Sequence, residues 1–215
     1  MIINKIGSQH VQSGTNCQDY FAVKRNSKVI CDGCSEGLHS EVGAKLFCHV
    51  FGKWIYENIM RKLISCIGGF DLHAMKDYLC FTIVSMKEFE NEFLVESCGD
   101  GFIITEDYEE NIDFVSLDNG QPPQYLIYNF IPSKYLKHYK DGVKIKSFVY
   151  PKTKYKRIGI ASDGLRFIMD APDHIKQEFI SILSNDKSLR LKLFINKHPE
   201  IFKDDITICL LYTSP

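Results

Sequence analysis

The chain has 215 residues, 45% of them hydrophobic and 25% charged, a balance that fits one sizeable globular core and excludes a low-complexity or fibrous chain. Its 26 Lys and Arg against 27 Asp and Glu leave a net charge of -1, which excludes a broad electrostatic footprint for nucleic acid. No apolar run approaches the ~20 residues of a membrane span, and the opening MIINKIGSQH lacks a signal-peptide core. The expectation is one monomeric domain over residues 1–215, cytoplasmic, with its eight cysteines reduced and mostly buried as small hydrophobes.

In chain order, IINKIG and DYFAVKR read as strands, and SKVIC is a strand that delivers the chain to Asp32. Val42, Leu46, Phe47, Val50, Trp54, Ile55, Ile59 and Leu63 then recur at helical spacing. They predict one long helix from His39 to Cys66, capped by Ser40, with Glu41 in its first turn and Gly68-Gly69 as its stop. Trp54 belongs to that apolar stripe and needs no other role. CFTIVSMKEF, EFLVESC, GFIITED and IDFVSL, separated by short polar or glycine turns, predict a β-meander. Pro122-Pro123 places DNGQPPQYLIY in a loop outside the sheet. VKIKSFVY and RIGIASD return as strands, PDHIKQEFISILS and SLRLKLFINKH read as amphipathic helices, and DDITICLLYT closes the chain as a strand. This is one α+β domain with two groups of strands and few helices.

The stretch VICDGCSEGLHSEVGA, Val29 to Ala44, carries two overlapping signals. By its sulfurs it is Cys31-x-x-Cys34, the spacing of a thiol redox pair or half a zinc site. The other cysteines are scattered singly, so a second zinc pair is missing, and Asp32-Gly33 between the sulfurs suits a loop better than the helix start a redox pair needs. By its acid it is a strand ending in a carboxylate and a glycine. The acid repeats elsewhere: Asp19 precedes YFAVK, Asp100 sits in CGDG, Asp163 ends IGIAS, and Asp204-Asp205 precede ITICLLY. Strand ends on one edge of a sheet can converge, and oxygen ligands gathered so suit Mg²⁺ or Mn²⁺ rather than zinc. An isolated Asp-Gly is ordinary turn chemistry; this ordered series is more than that.

In order, GSQHVQSGTNCQD, VICDGCSEGLHSEVGA, VESCGDGFIIT, GIASDGL and DDITICLL resemble the metal-dependent serine/threonine protein phosphatases of the type 2C class, in particular their compact bacterial branch. The resemblance runs from Gly7 to about Leu211. It implies an α-β-β-α sandwich in which two antiparallel sheets hold a binuclear metal site at one edge. Asp32 would bridge two Mn²⁺ or Mg²⁺ ions and Gly33 would lend its carbonyl oxygen. Asp163 and Asp204 would complete the first ion's ligands, Asp19 would act on the second through water, and Asp100 would hold a weaker third. Asp205 falls where relatives often carry Asn and is supporting. The implied activity is hydrolysis of phosphoserine or phosphothreonine on a protein by a water that the two ions activate, in opposition to a cognate kinase.

Two departures qualify that picture. Gly14 stands about where relatives carry a phosphate-gripping arginine. His10 is either its substitute, an imidazole contacting phosphate, or a surface histidine without a role. The Cys34-Ser35-Glu36-Gly37 stretch replaces glycines, so Glu36 could ligate, repel phosphate or face solvent. Arg25 and Arg166 are spare phosphate contacts, Arg166 more simply a solvated strand residue. The loop DNGQPPQYLIYNF either touches substrate or merely connects. A phosphoprotein-binding pseudophosphatase of the same fold is the alternative function, and a redox or zinc protein using Cys31 and Cys34 a distant third.

Overall fold

The computed structural model describes residues 1–53, 55–185 and 187–212. In chain order these form β1 (Ile2–Lys5), α1 (Ser8–Ser13), β2 (Asp19–Lys24), β3 (Ser27–Gly33), α2 (Ser40–Val50), α3 (Tyr56–Cys66) and α4 (Leu72–Leu79). They continue with β4 (Phe81–Glu88), β5 (Glu92–Cys98), β6 (Phe102–Asp107), β7 (Ile112–Ser116), β8 (Lys146–Pro151) and β9 (Tyr155–Ala161). After them come α5 (Arg166–Met169), α6 (Asp173–Ser184), α7 (Ser188–Lys197) and β10 (Ile206–Tyr212). Two five-stranded sheets result, ordered β1-β10-β9-β6-β7 and β2-β3-β4-β5-β8, with every pair antiparallel.

Strand alternation sends successive side chains to opposite layers. In β3, Ile30 faces the other sheet while Val29 and Cys31 face the helices. In β6, Ile103 joins the inter-sheet layer while Phe102 and Ile104 turn outward. The interior between the sheets is built from Ile30, Val84, Met86, Phe93 and Val95 on one side and Ile103, Ile158, Ile160 and Cys209 on the other. Helices α2, α3 and α4 cover the outer face of the second sheet, and α6 and α7 that of the first. The layering is α-β-β-α, as the resemblance implies. Each fully buried aliphatic or aromatic side chain in these layers stabilises by about 1.5–3 kcal/mol. No helix among the described residues is long and apolar enough to cross a membrane.

Three sequence readings change. The long helix over 39–66 is two helices: α2 ends at Val50 and α3 begins at Tyr56, with Gly52 between them at φ 81. Phe47 of α2 and Ile59 and Leu63 of α3 pack on one cluster and so read as one stripe, whereas Val42, Leu46 and Ile55 of that stripe are exposed. Trp54 lies outside the described residues. Ser40 does not cap α2 but is its first residue, and its hydroxyl donates to Cys34 O at 2.7 Å. The meander splits into a β4–β5 hairpin in one sheet and a β6–β7 hairpin in the other. The crossing falls at Gly99-Asp100-Gly101, whose glycines take φ 106 and 124, a region that only glycine enters freely.

Candidate metal centre

Strands of both sheets end side by side at one edge. Asp19 opens β2 and stands directly opposite Asp32 in the β2–β3 ladder. The register of β9 on β10, with Ala161 opposite Ile208, carries Asp163 and Asp204-Asp205 to the same edge from the other sheet. Ser162 fastens the two: its hydroxyl donates to Asp19 Oδ2 at 2.6 Å and accepts from Thr207 N–H at 2.9 Å. Asn4 Nδ2 reinforces the seam, donating to Thr207 Oγ1 at 2.7 Å. Gly33 closes β3 against α2, where a Cβ would meet Ser40 Oγ at 2.7 Å and Glu41 N at 2.9 Å. Any larger residue would push the Asp32 strand end away from the helix.

The electrostatics of these acids point one way. Burial, then the charges of Asp19 and Asp163, holds the Asp32 carboxyl well above the usual carboxylate range. Burial raises Asp19 to about 8, against the relief that Ser162 and Thr207 give by hydrogen bonding. Burial and Asp163 raise Asp204, and the same two causes lift Asp100 to about 6. Asp19 Oδ1 is buried and has no hydrogen-bond partner among the described residues. Carboxylates packed like this ionise together only around a counter-cation. An all-oxygen donor set with an orphan buried oxygen fits a hard divalent ion such as Mg²⁺ or Mn²⁺.

His10 does not stand free at the surface. Its Nδ1 lies 3.0 Å from Asp205 Oδ1, without hydrogen-bond geometry, and its Nε2 lies 3.8 Å from Asp204 Oδ1. Among the described residues, His10, Asp204 and Asp205 are the one trio whose ligand atoms all come within 4.8 Å. No three of Asp19, Asp32, Asp163 and Asp204 are drawn that close. Asp205 is 2% exposed and accepts from Gly7 N–H at 2.8 Å and Gln18 N–H at 2.5 Å. It pins the segment carrying His10 and Asp19 to the start of β10.

Asp100 sits at the sheet crossing, close enough to Arg166 for that charge to lower its pKa. Arg166 is not a strand residue: it opens α5 and its Nη2 donates to Asp118 Oδ2 at 3.2 Å. Glu36 is exposed on a groove wall. Cys31 and Cys34 diverge. Cys31 is buried against Cys48, and burial pushes its thiol well above the ordinary value, the opposite of a reactive thiolate. Cys34 lies by Cys80 and Tyr125, all eight cysteines are free, and none joins a metal-holding group among the described residues. Sequence reading missed Ser162, Thr207, Asn4 and Gln18. Ser162 and Gln18 each adjoin a singled-out acid, a signal available in ASDG and QD; Asn4 and Thr207 carried none.

Residues 6–79 match the model of the family described as protein phosphatase 2C. No curated protein matches the sequence at a significant level. Among solved structures, the serine/threonine phosphatase Stp1 from Staphylococcus aureus superposes with a TM-score of 0.62 at 17% identity, over 100% of this chain and 94% of that one. The serine/threonine phosphatase PstP/Ppp from Mycobacterium tuberculosis gives 0.60 at 12% identity, over 100% and 98%. RsbX, solved in complex with magnesium, gives 0.55 at 16% identity, over 97% and 92%. From end to end the chain has the fold of these bacterial phosphatases, and its residues 6–79 carry the sequence pattern of the protein phosphatase 2C family.

Proposed function

We propose that the chain hydrolyses phosphoserine and phosphothreonine on proteins in a reaction that depends on Mn²⁺ or Mg²⁺. One observation carries the reading: Asp19, Asp32, Asp163 and Asp204, from distant segments, meet at one edge as carboxylates that need a cation to ionise together. The family match and the magnesium in RsbX support it. When bound, divalent ions there supply an acidified water and charge neutralisation at the phosphate oxygens.

The chain's own residues do the placing. Asp32 with the Gly33 carbonyl, Asp163, Asp204 and Asp19 are the groups that would hold the ions. Ser162 holds the Asp19 carboxylate in one orientation. His10 faces Asp204 and Asp205, and we assign it to fixing Asp204 rather than to reaching phosphate. The pseudophosphatase reading has less support, because the acids that turnover requires are all present. A cognate kinase, a monomeric state and a cytoplasmic location remain part of the proposal, drawn from the resemblance.

Hydrolysis of p-nitrophenyl phosphate with added Mn²⁺, and its loss with a chelator, tests the activity. Asp32→Asn should lower it by at least about a thousandfold while the thermal unfolding profile stays cooperative, since an edge carboxylate carries little of the core. Full activity of Asp32→Asn would refute the assignment.

A further inference from the structure

A groove of about 730 Å³ begins where the Asp32 strand ends, at Cys34 to Gly37, and runs between α4 and the segment joining β7 to β8. That volume lies within the range of sites that hold drug-sized ligands, and tyrosines line it. Its far wall is Tyr135, Leu136, Lys137, His138 and Tyr139, the middle of the stretch Ser133–Lys146, SKYLKHYKDGVKIK, in which Lys134, Lys137, Lys140, Lys144 and Lys146 accompany a single acid, Asp141. A chain of net charge -1 thus concentrates five lysines in one run. Lys134, Lys137, Lys140 and Lys144 are exposed. Across the groove Lys76 and His73 stand on α4. The opposing acids on its lining are Glu36 and Asp77.

The wall is built, not loose. Leu136 and Val143 anchor it in the core. Asn129 grips it on both sides of one residue, donating to Val143 O at 3.0 Å and accepting from Val143 N–H at 2.7 Å. The Tyr139 hydroxyl donates to Pro122 O, and its ring stacks on Tyr128 with centroids 6.0 Å apart. Ordering cost is therefore met before any ligand arrives, which favours a recognition surface over a connector. Lys137 on this fixed, aromatic-lined wall and the exposed Lys134, Lys140 and Lys144 beside it in the chain match an extended run of carboxylates, and a groove that starts at Cys34, two residues after Asp32, receives that run with the phosphorylated residue toward the acids.

We propose that this groove selects phosphoprotein segments rich in Asp and Glu beside the phosphorylated residue, with the lysines of the Ser133–Lys146 segment, Lys137 on the wall and its exposed neighbours, as the charge reader. The proposal rests on the phosphatase reading above and names its substrate class.

The test compares phosphopeptides of one length with acidic, neutral or basic flanks, using p-nitrophenyl phosphate as a substrate too small to reach the wall. The wild type should show the lowest KM for the acidic peptide, rising with salt as exposed charges are screened. Replacing the exposed Lys134, Lys137 and Lys140 by Glu should raise that KM about tenfold and leave aryl phosphate turnover unchanged. Fluorescence anisotropy of the labelled acidic peptide on metal-loaded protein should show the same loss of affinity, and this readout stands even if no turnover is found. Equal KM for all three flanks, an unchanged KM in the triple variant, or tighter binding of a labelled RNA oligonucleotide than of the acidic peptide would each overturn the proposal. Loss of aryl phosphate hydrolysis in the wild type itself would instead count against the phosphatase reading.

Discussion

At the scale of single residues, the two acids that open β10 divide the work. Asp204 is half-exposed and turned to the shared edge, while Asp205 is buried with both oxygens taken by Gly7 and Gln18 backbone donors. Sequence reasoning could rank them only by family pattern, because two neighbouring acids before a strand look alike until it is known which one points inward. His10 was open for the same reason: an imidazole in a polar stretch says nothing of its neighbours until Asp205 pins that stretch beside it. Asp205→Ala would strand two buried N–H groups, each costing about 1–3 kcal/mol, so unfolding by urea should show a loss of roughly 2–6 kcal/mol. Asp205→Asn keeps one acceptor oxygen and should lose about half as much. An unchanged urea midpoint in Asp205→Ala would remove the pin from the account.

At the scale of elements, most strands and the two C-terminal helices were legible because alternation and 3.6-residue spacing come directly from which face is buried. Three helices were not, among them the four-residue α5, too short to show a period. The six-residue α1 buries no side chain of its own and so leaves no apolar stripe to read. The short α4 had a cap signal, Asp71 accepting from Ala74 N–H at 2.8 Å, but too few turns to stand out. The α2–α4 packing is set by Gly43, where a Cβ would fall 1.7 Å from Tyr78 O. Alanine gains about 1 kcal/mol of helix propensity over glycine, yet the clash with backbone forces the helices apart, and overpacking costs about 1–3 kcal/mol or more. Gly43→Ala should therefore come out destabilised in chemical denaturation, with the loss exceeding the propensity gain. A stabilised variant would mean that α4 yields freely.

At the scale of the whole molecule, the site exists only because two sheets meet. No local pattern shows that β10 pairs with both β1 and β9, or that the crossing at Asp100 moves the chain between sheets; those follow from closing both cores at once. The acids could be found as strand ends, but their convergence needed the registers that set Asp19 opposite Asp32 and Ala161 opposite Ile208. That convergence has a thermodynamic signature. Burial raises Asp19 to about 8 from an ordinary 3.8, and Asp32 moves in the same direction. Between those pH values the metal-free folded chain holds protons that the unfolded chain has released, so folding stability falls as pH rises through the window and levels off above about 8. The opposite slope would hold for an acid paired with a fixed cation. In a chelator, the melting temperature should thus drop from pH 5 to pH 8, by on the order of 10 °C for a loss of a few kcal/mol in a chain this size. Saturating Mn²⁺ or Mg²⁺ binds the deprotonated, folded form and should restore most of the loss at pH 8, with little effect at pH 5 where protons compete for the same oxygens. Asp19→Asn removes one of the charges that burial penalises, so its metal-free form should melt higher than the wild type at pH 8 and respond less to Mn²⁺. A metal-free melting temperature that rises with pH, or an equal Mn²⁺ response at both pH values, would place the buried charge of the molecule somewhere other than this edge.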